Sequence, residues 1–227
     1  MAEATVHSFG AVILAAGGST RMGRPKQLLP IEGVSLARRA ANAALASKAW
    51  PVVVVLGNAA PLIQMDLAKL PLLFAVNKSW ADGIGSSIRL GIQTLDMYSA
   101  SLVGAIVLLA DQPNLSAEAI DAIADAAGGV GVEVEVGGNR GEGVGIRGTL
   151  AAARYGGVIG APAFFPRAYF PELLALDVAE GAQKILRRHA DRVVAVERPE
   201  LAVDLDTPEE VQRFLEGRQG FRAPPPR

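Results

Sequence analysis

The sequence predicts an α/β fold, a doubly wound, mostly parallel sheet with helices on both faces and a smaller mixed C-terminal lobe. Three observations predict it. Apolar runs at "GAVILA" (10–15), "PVVVVLG" (51–57), "PLLFAV" (71–76) and "GAIVLLA" (104–110) are short, rich in β-branched residues and continuous, as strands covered on both faces are. Helical patterns separate them, at "SLARRAANAALASKA" (35–49), "PLIQMDLAKL" (61–70), "SSIRLGIQTLDMY" (86–98) and "SAEAIDAIADAA" (116–127), the last opening on a cap-like Ser-x-Glu. The first run passes directly into "AGGSTRMGRPK" (16–26), two glycines followed by cations. In a sheet built on this β-α-β-α rhythm, ligands sit beyond the carboxyl ends of the strands.

Composition sets the bounds. The chain has 227 residues, half of them hydrophobic, and a net charge of −1, enough to bury the core of one domain. No apolar stretch reaches the roughly 18 residues of a membrane span. The opening "MAEATVHSFG" lacks a basic n-region and an apolar h-region, so a cytoplasmic protein without membrane contact is expected. Without cysteine there are no disulfides, thiolate nucleophiles or Cys-based zinc sites. His7 and His189 lack metal-ligand spacing and are read as surface or structural. The near-neutral balance leaves no footprint for nucleic acid, so any cationic site must be local.

Beyond residue 127 the pattern changes. Segment 128–148, "GGVGVEVEVGGNRGEGVGIRG", is crowded with glycine and reads as a hairpin or mobile excursion. "GVIGAPAFFPRAYF" from 157, a helix around 181–190, the strand "RVVAVE" (192–197) and a helix after "DTPEE" complete a second half. One domain is expected over 1–216, with a nucleotide-binding half (1–127), an acceptor-binding half (128–216) and a disordered Pro- and Arg-rich tail at 217–227.

The glycine loop has a physical reading of its own. After the first strand the chain turns while exposing backbone N–H groups, and glycine permits both the dihedrals and close approach of a ligand. Arg21 supplies a planar fork and Lys26 a point charge, the usual partners of phosphate oxygens. Neither Gly-x-Gly-x-x-Gly nor Gly-Lys-Ser/Thr is present, so neither standard phosphate fingerprint applies. A plain basic surface loop is the alternative.

"LAAGGSTRMGRPKQLLP" (14–30) resembles the signature of nucleotidyltransferases with a glycosyltransferase-A-like Rossmann fold, specifically the molybdenum cofactor cytidylyltransferases and MobA-like NTP transferases. Their pattern reads Leu-Ala-Ala-Gly-x-Ser-x-Arg-Met-Gly-x-x-Lys. "NKSWADGIGSSIRLGI" (77–92) is similar to their Trp-x-x-Gly-x-x-x-Ser block, "LLADQP" (108–113) to their Asp-Gln-Pro turn, and "DLDTPEEV" (204–211) to their Asp-Ile-Asp-Thr-Pro-Glu-Asp ending. The resemblance implies that Leu14, Ala15, Ala16, Gly17, Gly18, Arg21 and Lys26 hold an NTP, with Gly83 and Ser86 or Ser87 at its base or ribose and Asn77 within reach. Helix capping also accounts for one of the serines, and Trp80 reads as a packing residue.

Asp111 ends an apolar strand and is followed by a Pro113 turn, so its carboxylate emerges where ligands bind. A hard oxygen there suits Mg²⁺ or Mn²⁺ carried by a triphosphate; a turn-capping Asp is the alternative. Asp204 and Asp206 alternate across Leu205; Asp204 is taken as the second metal ligand, and Asp206 or Thr207 as the cap of the last helix with Pro208 in its first turn.

The chemistry implied is nucleotidyl transfer from an NTP to a phosphorylated acceptor, with Arg21, Lys26 and Asp111 as catalytic residues and pyrophosphate as leaving group. The resemblance implies molybdopterin as acceptor and CTP over GTP, because Ala16 stands where guanylyl-transferring relatives carry a glycine. It also implies a molybdoenzyme or its chaperone as a downstream partner. The acceptor side departs from the pattern. Val158, Ile159 and Ala161 replace two cations and a histidine of a Gly-Arg-Arg-Gly-His-Pro stretch, and "DVAEGAQ" (177–183) carries Ala179 in place of an Asp. Losing charge there weakens the case for a pterin bearing a phosphate and a metal-bound dithiolene. "IGAPAFFPR" reads as a core strand and turn, with Arg167 the exception. Two alternatives stand: transfer to a sugar or polyol phosphate, and a non-catalytic carrier that delivers cofactor to a molybdoenzyme.

Overall fold

The computed structural model describes residues 8–19, 22–128, 148–203, 205 and 207–219. In chain order the first half contains β1 (Phe9–Ala15), β2 (Pro30–Ile31), β3 (Val34–Ser35), α1 (Leu36–Ala46), β4 (Val52–Leu56), α2 (Ala60–Asp66), β5 (Leu73–Val76), α3 (Ile84–Tyr98), β6 (Gly104–Leu109) and α4 (Ala117–Ala126). The second contains β7 (Leu150–Tyr155), β8 (Val158–Pro166), α5 (Phe170–Leu174), α6 (Gln183–Arg188), β9 (Val193–Glu197) and α7 (Pro208–Gln219).

Seven strands form one sheet in the order β5-β4-β1-β6-β8-β7-β9, and only β8 runs against the rest. This is the doubly wound, mostly parallel sheet the apolar runs predict. The second half contributes its three strands to the same sheet. The pleat sends alternate residues to opposite faces. Ala11, Ile13 and Ala15 pack under α1, α2 and α4, whereas Val12 packs under α3, α5 and α6. Both faces are covered, which is why these strands read as unbroken apolar runs. Ile13 is fully buried between them. Ile13→Ala is expected to cost about 2–5 kcal/mol through lost transfer energy and a residual cavity. Urea unfolding should show a lower midpoint at unchanged slope.

Local signals explain the helix starts. Ser35 and Ser116 accept the N–H groups of Arg38 and Ala119 as N-caps of α1 and α4. Thr207 caps α7 in a capping box: its Oγ1 accepts the Glu210 N–H at 3.3 Å while Glu210 Oε2 accepts the Thr207 N–H at 2.9 Å. A third apolar cluster joins Met22, Leu29, Ile31, Leu36, Leu205 and Val211, so α7 buttresses the segment after the glycine loop.

The structure differs from the sequence reading at three points. Helix α7 runs through Gln219, into the stretch expected as tail, because the proline run that signalled disorder starts only at Pro224. The serines of α3 do not cap it: the helix starts at Ile84, with Gly83 as N-cap, so Ser86 and Ser87 already lie within its first turn. Strand β7 was not anticipated. The excursion expected at 128–148 lies, apart from its two end glycines, outside the described residues, as do His7, Arg21, Asp204, Asp206 and residues 220–227.

Candidate active site

At the carboxyl end of β1 the chain leaves the sheet through Ala16, Gly17, Gly18 and Ser19. Gln27, buried in the turn Lys26–Leu28, pins this loop: its Nε2 donates to the Gly17 carbonyl at 2.9 Å and its Oε1 accepts from Ser19 Oγ at 3.2 Å. The Lys26 N–H donates to Ser19 Oγ at 3.0 Å, and Asn58 Nδ2 reaches the Gly18 carbonyl at 3.4 Å. With both glycine carbonyls turned to protein donors, the N–H groups of Gly17 and Gly18 meet no protein acceptor among the described residues. Such outward N–H groups form an anion-receiving surface.

Asp111 lies two residues past β6, the strand next to β1, so it arrives on the same edge of the sheet. Lys26 Nζ stands 2.5 Å from Asp111 Oδ2, with 17% and 19% of the two side chains exposed. The other oxygen, Oδ1, is buried and has no hydrogen-bond partner among the described residues. A buried carboxylate oxygen without a donor is costly unless a proton donor or cation meets it, and a hard oxygen at a strand end suits Mg²⁺ or Mn²⁺. Asp111 therefore fits a divalent metal. Among the described residues no group of three or more His, Cys, Asp or Glu gathers in a metal-binding cluster.

Between loop and carboxylate lies a cavity of about 200 Å³. Of the residues singled out by the sequence, Leu14, Ala16, Gly17, Lys26, Ser87 and Asp111 line it. Ala15 does not; the pleat turns it into the core under α1. Asn77 and Ser86 stand behind the wall as its support. Asn77 Nδ2 donates to Ser86 Oγ at 2.8 Å and Ser87 Oγ at 2.9 Å, and its Oδ1 accepts the Ser79 N–H. Ser86 Oγ sits within hydrogen-bond distance of the Ser79 and Gly83 carbonyls. Gly83, at φ 138°, adopts a backbone open only to glycine, and a Cβ there would lie 2.2 Å from the Val178 carbonyl oxygen. The Gly85 N–H donates to that same carbonyl, bringing the 177–183 segment onto the start of α3.

A family model described as the MobA-like NTP transferase domain matches residues 11–193. The chain belongs to this family. It is a nucleotidyltransferase. The transferase is 28% identical to purine catabolism protein PucB of Bacillus subtilis over 216 residues, covering 88% of this chain and 92% of that one. The crystal structure of the Mycobacterium tuberculosis Rv0371c homologue from Mycobacterium sp. strain JC1 has 26% identity and a TM-score of 0.71, covering 94% of this chain and 98% of that one. Rv0371c of M. tuberculosis, solved in complex with manganese, has 24% identity and a TM-score of 0.66, covering 92% and 98%.

The structure adds wall residues of the MobA-like transferase that sequence reasoning did not assign to the site: Gln27, Trp80, Ile84, Leu109 and Ala110. Gln27 and Ile84 lie inside the recognised blocks, yet nothing in an amide or an isoleucine marks a binding wall. Trp80, read as packing, does pack against the core and also faces the cavity. Gly57 lets it approach: a Cβ at 57 would stand 2.4 Å from the Ala16 carbonyl oxygen and 2.7 Å from Trp80 Cβ. Gly57→Ala in the transferase is therefore expected to displace the glycine loop. Overpacking of this kind costs about 1–3 kcal/mol, readable as a lower thermal midpoint together with weaker nucleotide binding by calorimetry.

On the far side of β6, Gln112 is buried and its Nε2 reaches the Ala161 carbonyl at 3.1 Å, tying the Asp111 turn to β8. Arg167, held open as an acceptor contact, instead pairs with Asp96 of α3 and lies over the Phe170 ring, away from the cavity. Glu180 is taken up by Lys184, whose hydrogen bond holds its carboxyl below the ordinary range. His189 hydrogen-bonds Glu172 and meets the Tyr169 ring edge-on, a structural role. No helix of the described residues is long and apolar enough to cross a membrane.

Proposed function

We propose that this transferase moves CMP from CTP onto a phosphorylated acceptor, molybdopterin, releasing pyrophosphate, with the nucleotide held by residues 1–127 and the acceptor by 128–216. One observation carries the reading: at a cavity lined by Gly17 of the glycine loop, an ammonium meets a carboxylate whose other, buried oxygen has no hydrogen-bond partner among the described residues. The resemblance of the sequence blocks to molybdenum cofactor cytidylyltransferases supports the acceptor.

In this reading the Gly17 and Gly18 N–H groups and Lys26 receive the triphosphate, joined by Arg21 from the same loop. Asp111 holds Mg²⁺ or Mn²⁺, with Asp204 as a second ligand. The metal supplies charge neutralisation on the phosphates. Trp80 and Ser87 wall the base and ribose. Ser87 Oγ accepts from Asn77 and keeps its own hydrogen for a ligand. The Ala16 methyl narrows the floor, which favours cytosine over guanine.

The acceptor phosphate is largely dianionic at neutral pH, since its second pKa lies near 6, so no general base is required. One of its oxygens bonds to the α-phosphorus, the bond to the bridging α–β oxygen breaks, and pyrophosphate departs with the electron pair. Lys26 stays near the phosphates and offsets the charge that develops on them. Catalysis of this kind rests on positioning and electrostatics.

The test is pyrophosphate release with each of the four NTPs, with Mg²⁺ and with Mn²⁺, against molybdopterin and against sugar and polyol phosphates. Manganese is included because a mycobacterial relative was crystallised with it. CTP with molybdopterin is expected to give the highest kcat/KM. Tight CTP binding without pyrophosphate release from any acceptor would instead identify a carrier.

A further inference from the structure

The ladder between β6 and β8 ends short of Asp111. Its last registered pair is Val107 and Ala163, and the next residue outward on β8 is Pro162, which carries no N–H for a ladder. The side chain of Gln112 takes over beyond that point. Its Nε2 reaches the Ala161 carbonyl at 3.1 Å and the Leu201 carbonyl at 3.4 Å, so the residue next to Asp111 is bound to the strand that the ladder has released. Tyr155 and Ala161 also line a second cavity, of about 250 Å³, which shares Leu14, Ile84 and Leu109 with the first. The Gln112 amide thus joins the Asp111 turn to a wall of that cavity.

Stability does not account for this side chain. Gln112 is 2% exposed, and its Oε1 is buried with no hydrogen-bond partner among the described residues. A bare buried amide oxygen costs free energy that a single contact at the other end of the amide barely offsets. The Ala161 carbonyl also accepts the Tyr155 hydroxyl at 2.9 Å, so it stays satisfied without the amide. An apolar side chain of the same length would fill the space as well. Departures of this kind from the rule of paired buried polar groups gather where function requires them.

We infer that Gln112 is a positioning residue: through the Ala161 carbonyl it fixes the turn that aims the Asp111 carboxylate, and so sets the affinity of that carboxylate for a divalent metal. The inference rests on the assignment of a metal to Asp111. Groups that orient a metal ligand without touching the metal govern affinity by about ten- to a hundredfold.

The experiment uses the full chain and Mn²⁺ alone as probe, read by electron paramagnetic resonance of the free ion, with circular dichroism melting alongside. Gln112→Met keeps the length of the side chain and removes both the donor and the bare oxygen. It is expected to weaken Mn²⁺ binding at least about tenfold and to leave the thermal midpoint within about 4 °C of wild type. A merely structural role would lower the midpoint and leave the Mn²⁺ dissociation constant alone. Tyr155→Phe is the control: the Ala161 carbonyl then keeps the Gln112 amide, and Mn²⁺ affinity is expected to stay that of wild type. Wild-type Mn²⁺ affinity in Gln112→Met, an equal loss in Tyr155→Phe, or a midpoint of Gln112→Met more than about 10 °C below wild type overturns the inference. Asp111→Asn separates it from the reading beneath. If Asp111→Asn loses Mn²⁺ and Gln112→Met does not, the metal stays with Asp111 and only the positioning role falls. If Asp111→Asn binds Mn²⁺ as wild type does, the metal leaves Asp111 and the positioning role goes with it.

Discussion

Asp111→Asn is expected to reduce kcat/KM for nucleotidyl transfer by at least about a thousandfold while leaving the thermal midpoint within a few degrees of wild type. The substitution keeps the size of the side chain and removes its charge. It lies in a turn beyond β6, outside the ladder that holds the sheet together, so the fold has little to lose. The site has much to lose. A metal at the phosphates is worth several kcal/mol of charge stabilisation, and each 1.36 kcal/mol is a factor of ten in rate. An amide oxygen is a poorer ligand for a hard divalent cation than a carboxylate. Pyrophosphate release under saturating CTP, with circular dichroism melting as the control, decides the matter. Wild-type turnover in a folded Asp111→Asn chain would remove this carboxylate from the mechanism.

Lys26→Ala is expected to act with opposite signs on two ligands. Hydrogen bonds to a charged group contribute about 1.5–3 kcal/mol, so losing the ammonium should weaken binding of CTP with its metal by about ten- to a hundredfold. In the structure, however, the same ammonium stands 2.5 Å from Asp111 Oδ2 and so competes with any cation for that carboxylate. Mn²⁺ alone should therefore bind the Lys26→Ala chain more tightly than wild type, as read by electron paramagnetic resonance of the free ion. An unchanged CTP dissociation constant would contradict the assignment of Lys26 to the triphosphate. Weaker binding of Mn²⁺ alone would show that the ion pair does not guard the carboxylate.

Legibility in the sequence tracked chemistry that is local in the chain. The strands β1, β4 and β6 were readable because a strand covered on both faces must be apolar at every position, and the edge strand β5 because it too is a short apolar run. The glycine loop was readable because exposed N–H groups, tight dihedrals and nearby cations occur within a dozen residues. Strand β7 was not, since its core "LAAARY" is dominated by alanine, a weak strand former. It is a strand because β8 and β9 pair with it on either side. The role of Asn77 was also hidden. Whether an asparagine faces a ligand or ties two serines together depends on where a helix seven residues later begins.

The sequence by itself determined the sheet class, the glycine loop at the end of β1 and the strand-end position of Asp111, because periodicity and turn chemistry are properties of neighbouring residues. Only the tertiary structure decided that Lys26 and Asp111, 85 positions apart in the sequence, close on one another, and that Ile84, Val158 and Leu186 line a single cavity. The physical reason is that a cavity belongs to the gap between elements. Its shape follows from how the antiparallel β8 and the helices α3 and α6 pack, and no single stretch of chain contains that distance.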